Sequence, residues 1–263
     1  MQVKLNLFPG GRRRALTMSY DDGVVYDRRL VEIFNQYGIK GTFHLNSGRL
    51  NLANMEEDGV PMGLYRGHEV SSHMKNHPYP NQLPDATLID EIFGDRANLE
   101  KLCGYPVRGM SYPYGIYNDH IIEIAKNCGM EYSRTVASTN GFNPPDDFMK
   151  WHPTVHHKGD LNGLWDRFMN AAGDAMLLFY IWGHSYEFAR EDNWEIIENF
   201  CKMAGGRDDV WYATNIEIKD YITAQRNLVV SADGTMIYNP SCLDVWVRMD
   251  EEPVRIKAGS ILS

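Results

Sequence analysis

Apolar residues recur along most of the chain in two alternating rhythms. Ala15 to Tyr20 form a short apolar run that ends at Asp21-Asp22-Gly23, the pattern of a buried strand. Within Tyr26 to Tyr37, the apolar positions Leu30, Val31, Ile33, Phe34 and Tyr37 fall near helical spacing, and Gly38 supplies a stop. Gly41 to Leu45 reads as the next strand, so the unit is βαβ and its strands are expected to be parallel. The rhythm continues with strands at His68 to Ser72, Val107 to Tyr112, Tyr132 to Val136, Ala175 to Trp182 and Val210 to Thr214. Helical spacing occupies Leu88 to Cys103, Asn118 to Cys128, Gly163 to Ala172, Asn193 to Ala204 and Asn215 to Arg226. Roughly seven β/α units predict an α/β fold, a distorted (β/α) barrel.

From Leu228 the texture changes to short alternating segments around an Asp233-Gly234 turn. Leu228 to Ser231, Met236 to Asn239, Asp244 to Met249 and Val254 to Ile256 are expected to be antiparallel strands. The chain is therefore divided into a catalytic barrel at 1–227 and a small C-terminal antiparallel β appendage at 228–263. The edges of such an appendage can pair with another subunit, so a homo-oligomer is compatible with it. Thr139 to Asp147, rich in Gly, Asn and Pro, is a long loop of the kind that often carries function.

Composition narrows the classes. At 263 residues, 43% hydrophobic and 23% charged, the chain can bury a large core and is not a disordered segment. A net charge of −9 with scattered Lys and Arg gives no basic stripe for phosphates, so no nucleic-acid partner is expected. Arg12-Arg13-Arg14 is the one basic run and reads as a solvated loop or strand edge. No stretch reaches the roughly 18 apolar residues of a membrane span, and no apolar run of export-signal length follows the arginines. Four scattered cysteines without a CxxC suit free thiols in a reducing compartment, so the expected setting is cytoplasmic, with no membrane partner.

Three groups carry chemistry. Asp21 and Asp22 stand where a strand reaches its C-terminal end, the active-site face of such barrels, and as neighbours they point different ways. One can bind a metal while the other takes a proton. His73 and His77, four apart, can meet one ion from a helical turn that Pro78 ends. With a strand-end carboxylate they complete a His₂Asp set with an open position, as expected of catalytic zinc. His184 follows the apolar run Met176 to Trp182 at the same face and can protonate a leaving group. Among the other histidines, His44 is the one expected to line the site.

Together these residues resemble the polysaccharide deacetylase family, carbohydrate esterase family four, over about Ala15 to Asp220. Ser19-Tyr20-Asp21-Asp22-Gly23 looks like its first motif and implies Asp21 as general base and Asp22 as metal ligand. Ser72-His73-Met74-Lys75-Asn76-His77-Pro78 looks like the second, which implies both histidine ligands. Tyr112-Pro113-Tyr114-Gly115 is similar to the third, whose Tyr backbone N–H, that of Tyr114 here, helps form the oxyanion hole. Phe179 to His184 resembles the fifth and implies His184 as general acid. The resemblance implies one divalent metal, zinc first, and hydrolysis of an N- or O-linked acetyl group on a carbohydrate. Tyr20, His44, Tyr112, Trp151, Trp182 and Tyr186 are the expected substrate-contacting residues.

The sequence departs from the pattern twice. Ser111 stands where the third motif has an arginine that contacts the base, and Arg108 lies three residues upstream. For the fourth motif, Trp151 and one of Asp146 or Asp147 are the candidates. The expected partner of Asp21 is therefore a backbone donor, a hydroxyl or a charge from the Arg134 strand, not Arg108. Two other readings stay open: hydrolysis of a cyclic imide or ureide, and a non-catalytic carbohydrate-binding protein on the same fold.

Overall fold

The computed structural model describes residues 3–263. Its central element is an all-parallel sheet built on β2 (Arg14–Asp22), seven of whose nine residues are buried. The other strands are β3 (Gly41–Leu45), β4 (Glu69–Ser72), β5 (Gly109–Ser111), β6 (Tyr132–Arg134), β7 (Val155–His156), β8 (Leu177–Gly183) and β9 (Val210–Tyr212). They run in the order β6-β5-β4-β3-β2-β8-β7. On β2, residues Arg14–Leu16 pair with β9 and Met18–Asp22 with β3, while β8 pairs along Arg14–Tyr20. Parallel strands need crossovers, and helices at Asp27–Gln36, Asp95–Cys103, Asp119–Asn127, Leu161–Met169 and Glu195–Ala204 lie in them, while a last helix, Asn215–Arg226, follows β9. The curled sheet and its helices are the distorted barrel that the apolar rhythm predicts.

Several elements differ from the expectation. Leu88–Cys103 is not one regular helix: a π-helical turn at Asp90–Gly94 joins Asp85–Ile89 to Asp95–Cys103. The two-residue strand β7 and the helix Ser185–Glu191 had no periodic signal, because neither is long enough to show one. Trp151 closes the gap between β6 and β7. Its N–H donates to the Ser133 carbonyl and its own carbonyl accepts from Thr135, with a parallel bridge to Arg134. The arginine run is not free in solvent. Arg13 donates to the carbonyls of Ala171, Ala172 and Ala175, and Arg14 to those of Phe168 and Met169, so both satisfy carbonyls at and beyond a helix C-terminus.

The C-terminal strands β10 (Val229–Val230), β11 (Ile237–Tyr238), β12 (Val245–Met249), β13 (Glu252–Ile256) and β14 (Ile261–Leu262) are antiparallel. They form two small sheets, β10-β11-β14 and one in which β12 lies between β13 and the N-terminal β1 (Val3–Lys4). Ile237, Val245, Val247 and Ile256 are buried with Phe8, Ile218 and Tyr221, so this layer packs on the barrel flank. Among the described residues, no helix is long and apolar enough to cross a membrane.

One buried carboxylate pins the lower part of the barrel. Glu69 accepts from Thr42 Oγ1 at 2.9 Å, Tyr132 OH at 2.7 Å and the backbone N–H of Ile216 at 2.9 Å, tying β3, β6 and the last helix together. Glu69→Ala leaves these donors unmatched and is expected to cost roughly 2–4 kcal/mol. Urea unfolding reads this directly; a loss below about 1 kcal/mol would show that the three donors find other partners.

Candidate active site

Asp21 and Asp22 are the last residues of β2, and their backbones differ in a way that separates their side chains. Asp22 has φ 83°, a left-handed conformation unusual for a residue with a side chain. Gly23 follows with φ +65°, and a Cβ there would lie 2.7 Å from Leu50 and 2.8 Å from Leu45, so only glycine completes the turn. Asp21 points inward and is 2% exposed; Asp22 turns toward the cavity with its side chain 24% exposed.

His73 and His77 do not sit on a helical turn. Met74 and His77 have φ 59° and 53°, so the segment is an irregular loop that Pro78 keeps from helix. Its shape comes from neighbouring side chains. The Asn46 amide donates to the carbonyls of His73 and Met74 at 2.6 and 2.7 Å, and Glu91 accepts from the backbone and side chain of Asn76, both at 2.7 Å. With Asp22 and Tyr114 (φ 58°), four of the ten non-glycine residues at positive φ among those described are at this one site. Such strain persists where surrounding bonds over-determine it, and it clusters at functional sites.

His73 Nδ1 donates to the Ser111 carbonyl at 2.9 Å and lies 2.6 Å from Ser111 Oγ. The proton is thereby held on Nδ1, leaving Nε2 as a lone-pair donor facing Asp22 at 3.9 Å. His77 Nε2 is also 3.9 Å from the same oxygen of Asp22. The donor atoms of Asp22, His73 and His77 all lie within 4.8 Å of one another. Tetrahedral bonds of about 2.0–2.1 Å place donors about 3.4 Å apart, so these three residues close around one zinc-sized ion with side-chain shifts of about 1 Å. The backbone carbonyl behind His73 is the outer partner that such ligands normally have.

Asp21 is held from behind. Ser111 Oγ donates to Oδ1 at 3.1 Å, and the fully buried Arg134 guanidinium pairs with Oδ2. Ser111 and Arg134 face each other in the β5–β6 register, so the arginine absent from β5 is supplied at the same level by the next strand. Arg134 also stacks over Trp182, 4.4 Å from the ring centroid. Arg108 is elsewhere, paired with Glu131 and Asp220. Burial opposes the charge on Asp21, yet Arg134, with His73, His44 and His184, holds its pKa far below the usual carboxylate range. It therefore remains an ionised acceptor.

His184 enters from β8, its Nε2 4.0 Å from Asp21 Oδ2 and its Nδ1 3.5 Å from Glu187 Oε2. Burial disfavours its protonation, but Glu187 and the charges of Asp21 and Asp22 raise its pKa above the ordinary value. The imidazole thus faces the same space as the carboxylates, with its protonated form favoured. Sequence pattern did not single out Glu187, because it lies on a helix of seven residues with no periodic signal.

These groups line one cavity of about 520 Å³: Asp21, Asp22, His73, His77, Tyr112, Tyr114, Val136, Trp182, His184 and Tyr186. Tyr114 stacks on Tyr79 at 4.1 Å and meets His77 edge-on. Three of the expected substrate-contacting residues are not on this wall. Tyr20 and His44 are 1% and 0% exposed, Tyr20 stacking on His157 and His44 facing Tyr132 from β3. Trp151, 1% exposed, packs on Tyr132, Phe148 and Tyr180. Asp147 caps the turn at Phe148–Lys150, and Asp146 meets Arg226 through its carbonyl, so neither supports the base.

The two arginines should separate in stability. Arg134→Met strips a buried carboxylate of its partner and is expected to cost about 3–5 kcal/mol. Arg108→Ala removes two partly exposed ion pairs and should cost at most about 2 kcal/mol. Chemical unfolding of both variants decides this, and equal losses would contradict the assignment of Arg134.

Known proteins share parts of this sequence and this fold. Residues 10–133 match the family model described as Polysaccharide deacetylase. The chain is 30% identical over 104 residues to the chitin deacetylase of Colletotrichum lindemuthianum, covering 38% of this chain and 41% of that protein. It thus spans less than half of the curated relative it matches. In fold it is similar to a candidate polysaccharide deacetylase from Mycobacterium smegmatis, with TM-score 0.65, 17% identity, and 83% and 93% of the two chains covered. It is also similar to BA3943, a CE4 family pseudoenzyme from Bacillus anthracis, with TM-score 0.51, 16% identity, and 81% and 66% covered. At such identities the likeness carries the fold alone, and the pseudoenzyme shows that this fold exists without activity. The family match at residues 10–133, the motifs that lie within it and the barrel that bears them support the resemblance to the polysaccharide deacetylase family.

Proposed function

We propose that the protein is a metal-dependent hydrolase that removes an N- or O-linked acetyl group from a carbohydrate. The observation that carries this is the convergence of Asp21, Asp22, His73, His77 and His184 on one cavity, with the three ligand donors within 4.8 Å. Asp22, His73 and His77 hold one divalent ion, zinc being the first choice for an N₂O donor set. Bound there, such an ion polarises the acetyl carbonyl and acidifies a water molecule.

The chain's own groups do the rest. Asp21, ionised and oriented by Ser111 and Arg134, accepts the proton of the attacking water. The backbone N–H of Tyr114, fixed in its turn beforehand, stabilises the oxyanion of the substrate. His184 gives its proton to the departing amine or alkoxide. Tyr112, Tyr114, Trp182 and Tyr186 present rings to the cavity on which a sugar face can stack.

Acetate release from a panel of acetylated sugars should stop when metal is stripped and return with Zn²⁺. Asp21→Asn should retain the metal while turnover falls on the order of 10²–10⁴-fold. Activity that survives metal removal, or wild-type turnover in metal-loaded Asp21→Asn, would overturn the mechanism, and binding of these sugars without release would mark a pseudoenzyme.

The alkaline side of the pH profile should report His184. A general acid must carry its proton, so rate falls as pH rises through the His184 pKa, which Glu187 helps to raise. In Glu187→Gln that support is gone and the alkaline fall should begin at lower pH. A limb that stays in place in kcat/KM against pH assigns it to another group.

A further inference from the structure

Beside the cavity lies a second cluster that the proposed reaction does not use as ligands. β7 ends at His156, His157 follows it, and the helix Ser185–Glu191 presents Glu187 to both. The Nε2 atoms of His156 and His157 lie 3.2 and 3.1 Å from the same carboxylate oxygen, Glu187 Oε2. The nearby cations keep to the other oxygen: Lys158 and Arg190 approach Oε1 at 3.2 and 3.9 Å. The donor atoms of the three residues fall within 4.8 Å of one another, as tight a set as the one in the cavity.

His157 is the telling member. It is 1% exposed, its Nδ1 has no partner, and its Nε2 faces Glu187 Oε2 at 3.1 Å outside good hydrogen-bond geometry. Burying an imidazole so poorly satisfied is costly unless something else engages it. The ring is also held in place: it stacks on Tyr20 and packs 4.1 Å from Phe188. Gly183 leaves the space, since a Cβ there would lie 2.0 Å from His157 Nδ1. His156, with 23% of its side chain exposed, gives an ion a way in from solvent.

We propose that His156, His157 and Glu187 form a second site for a first-row divalent transition metal such as Zn²⁺ or Co²⁺. Two tetrahedral bonds of about 2.0–2.2 Å separate their donors by about 3.4 Å, close to the 3.2 and 3.1 Å that separate the imidazoles from Oε2. Imidazole donors select such ions over Mg²⁺ and Ca²⁺. An ion that draws on Oε2 competes with His184 Nδ1, 3.5 Å from the same atom.

Titration of metal-free protein with Co²⁺, followed by visible absorption and by metal content after equilibrium dialysis, tests the site without any substrate. Wild type should take up two ions per chain, the second more weakly. His156→Ala should keep the first ion and weaken the second by more than about tenfold, with an unchanged thermal melt. Glu187→Gln should do the same, and His77→Ala should retain the second ion whatever becomes of the first. Saturation of wild type at one ion in the cavity, or a second ion bound equally well by both His156→Ala and Glu187→Gln, would overturn the proposal.

Discussion

A carboxylate almost wholly removed from water at the end of the longest barrel strand is the constraint around which the site is arranged. Left alone, the Asp21 charge would be too costly to bury, so the structure surrounds it with a guanidinium, a hydroxyl and imidazoles. Each partner then has a second task. Ser111 also fixes the proton of His73, and Arg134 also underlies Trp182 on the cavity wall. Charge compensation, ligand orientation and the shape of the cavity are thus one network, reached from four strands.

Register delivers these groups to one level. On the shared edge of β2 and β3, Asp21 faces His44 and Asp22 faces Leu45; on β5 and β6, Ser111 faces Arg134. Because parallel strands bring their C-terminal ends to one face, the residues just beyond them, His73 and His184, join the same space. Moving the arginine from β5 to β6 preserves the interaction because paired positions across a parallel ladder are neighbours, whereas Arg108 is three residues back along the strand. The two histidine clusters share this economy, for Glu187 touches His184 on one side and His156 with His157 on the other.

Much of this was legible in the chain. The apolar runs of β2 and β8 and the helical spacing of Tyr26 to Tyr37 are strong because the elements are long and half or fully buried, and the Asp-Asp-Gly and HxxxH spacings mark the strand ends. What stayed hidden depends on space. His73 and His77 meet Asp22 from an irregular loop shaped by Asn46 and Glu91, which lie 27 or more and about 15 residues away in sequence. Trp151 reads as a fourth-motif candidate and a substrate contact, yet it is buried and bridges to Arg134, because a single bridging residue leaves no periodic trace. Glu187 and β7 escaped for the same reason.

The central claim is a division of labour between adjacent carboxylates: Asp22 joins His73 and His77 around an ion while Asp21, locked to Arg134, stays out of its coordination. Anomalous diffraction at the zinc edge from crystals of the zinc-loaded protein measures this most directly. The account predicts a peak at about 2.0–2.2 Å from a carboxylate oxygen of Asp22 and from Nε2 of both histidines, with Asp21 still on Arg134. A zinc ion ligated by Asp21, or no zinc at this triad, would contradict it.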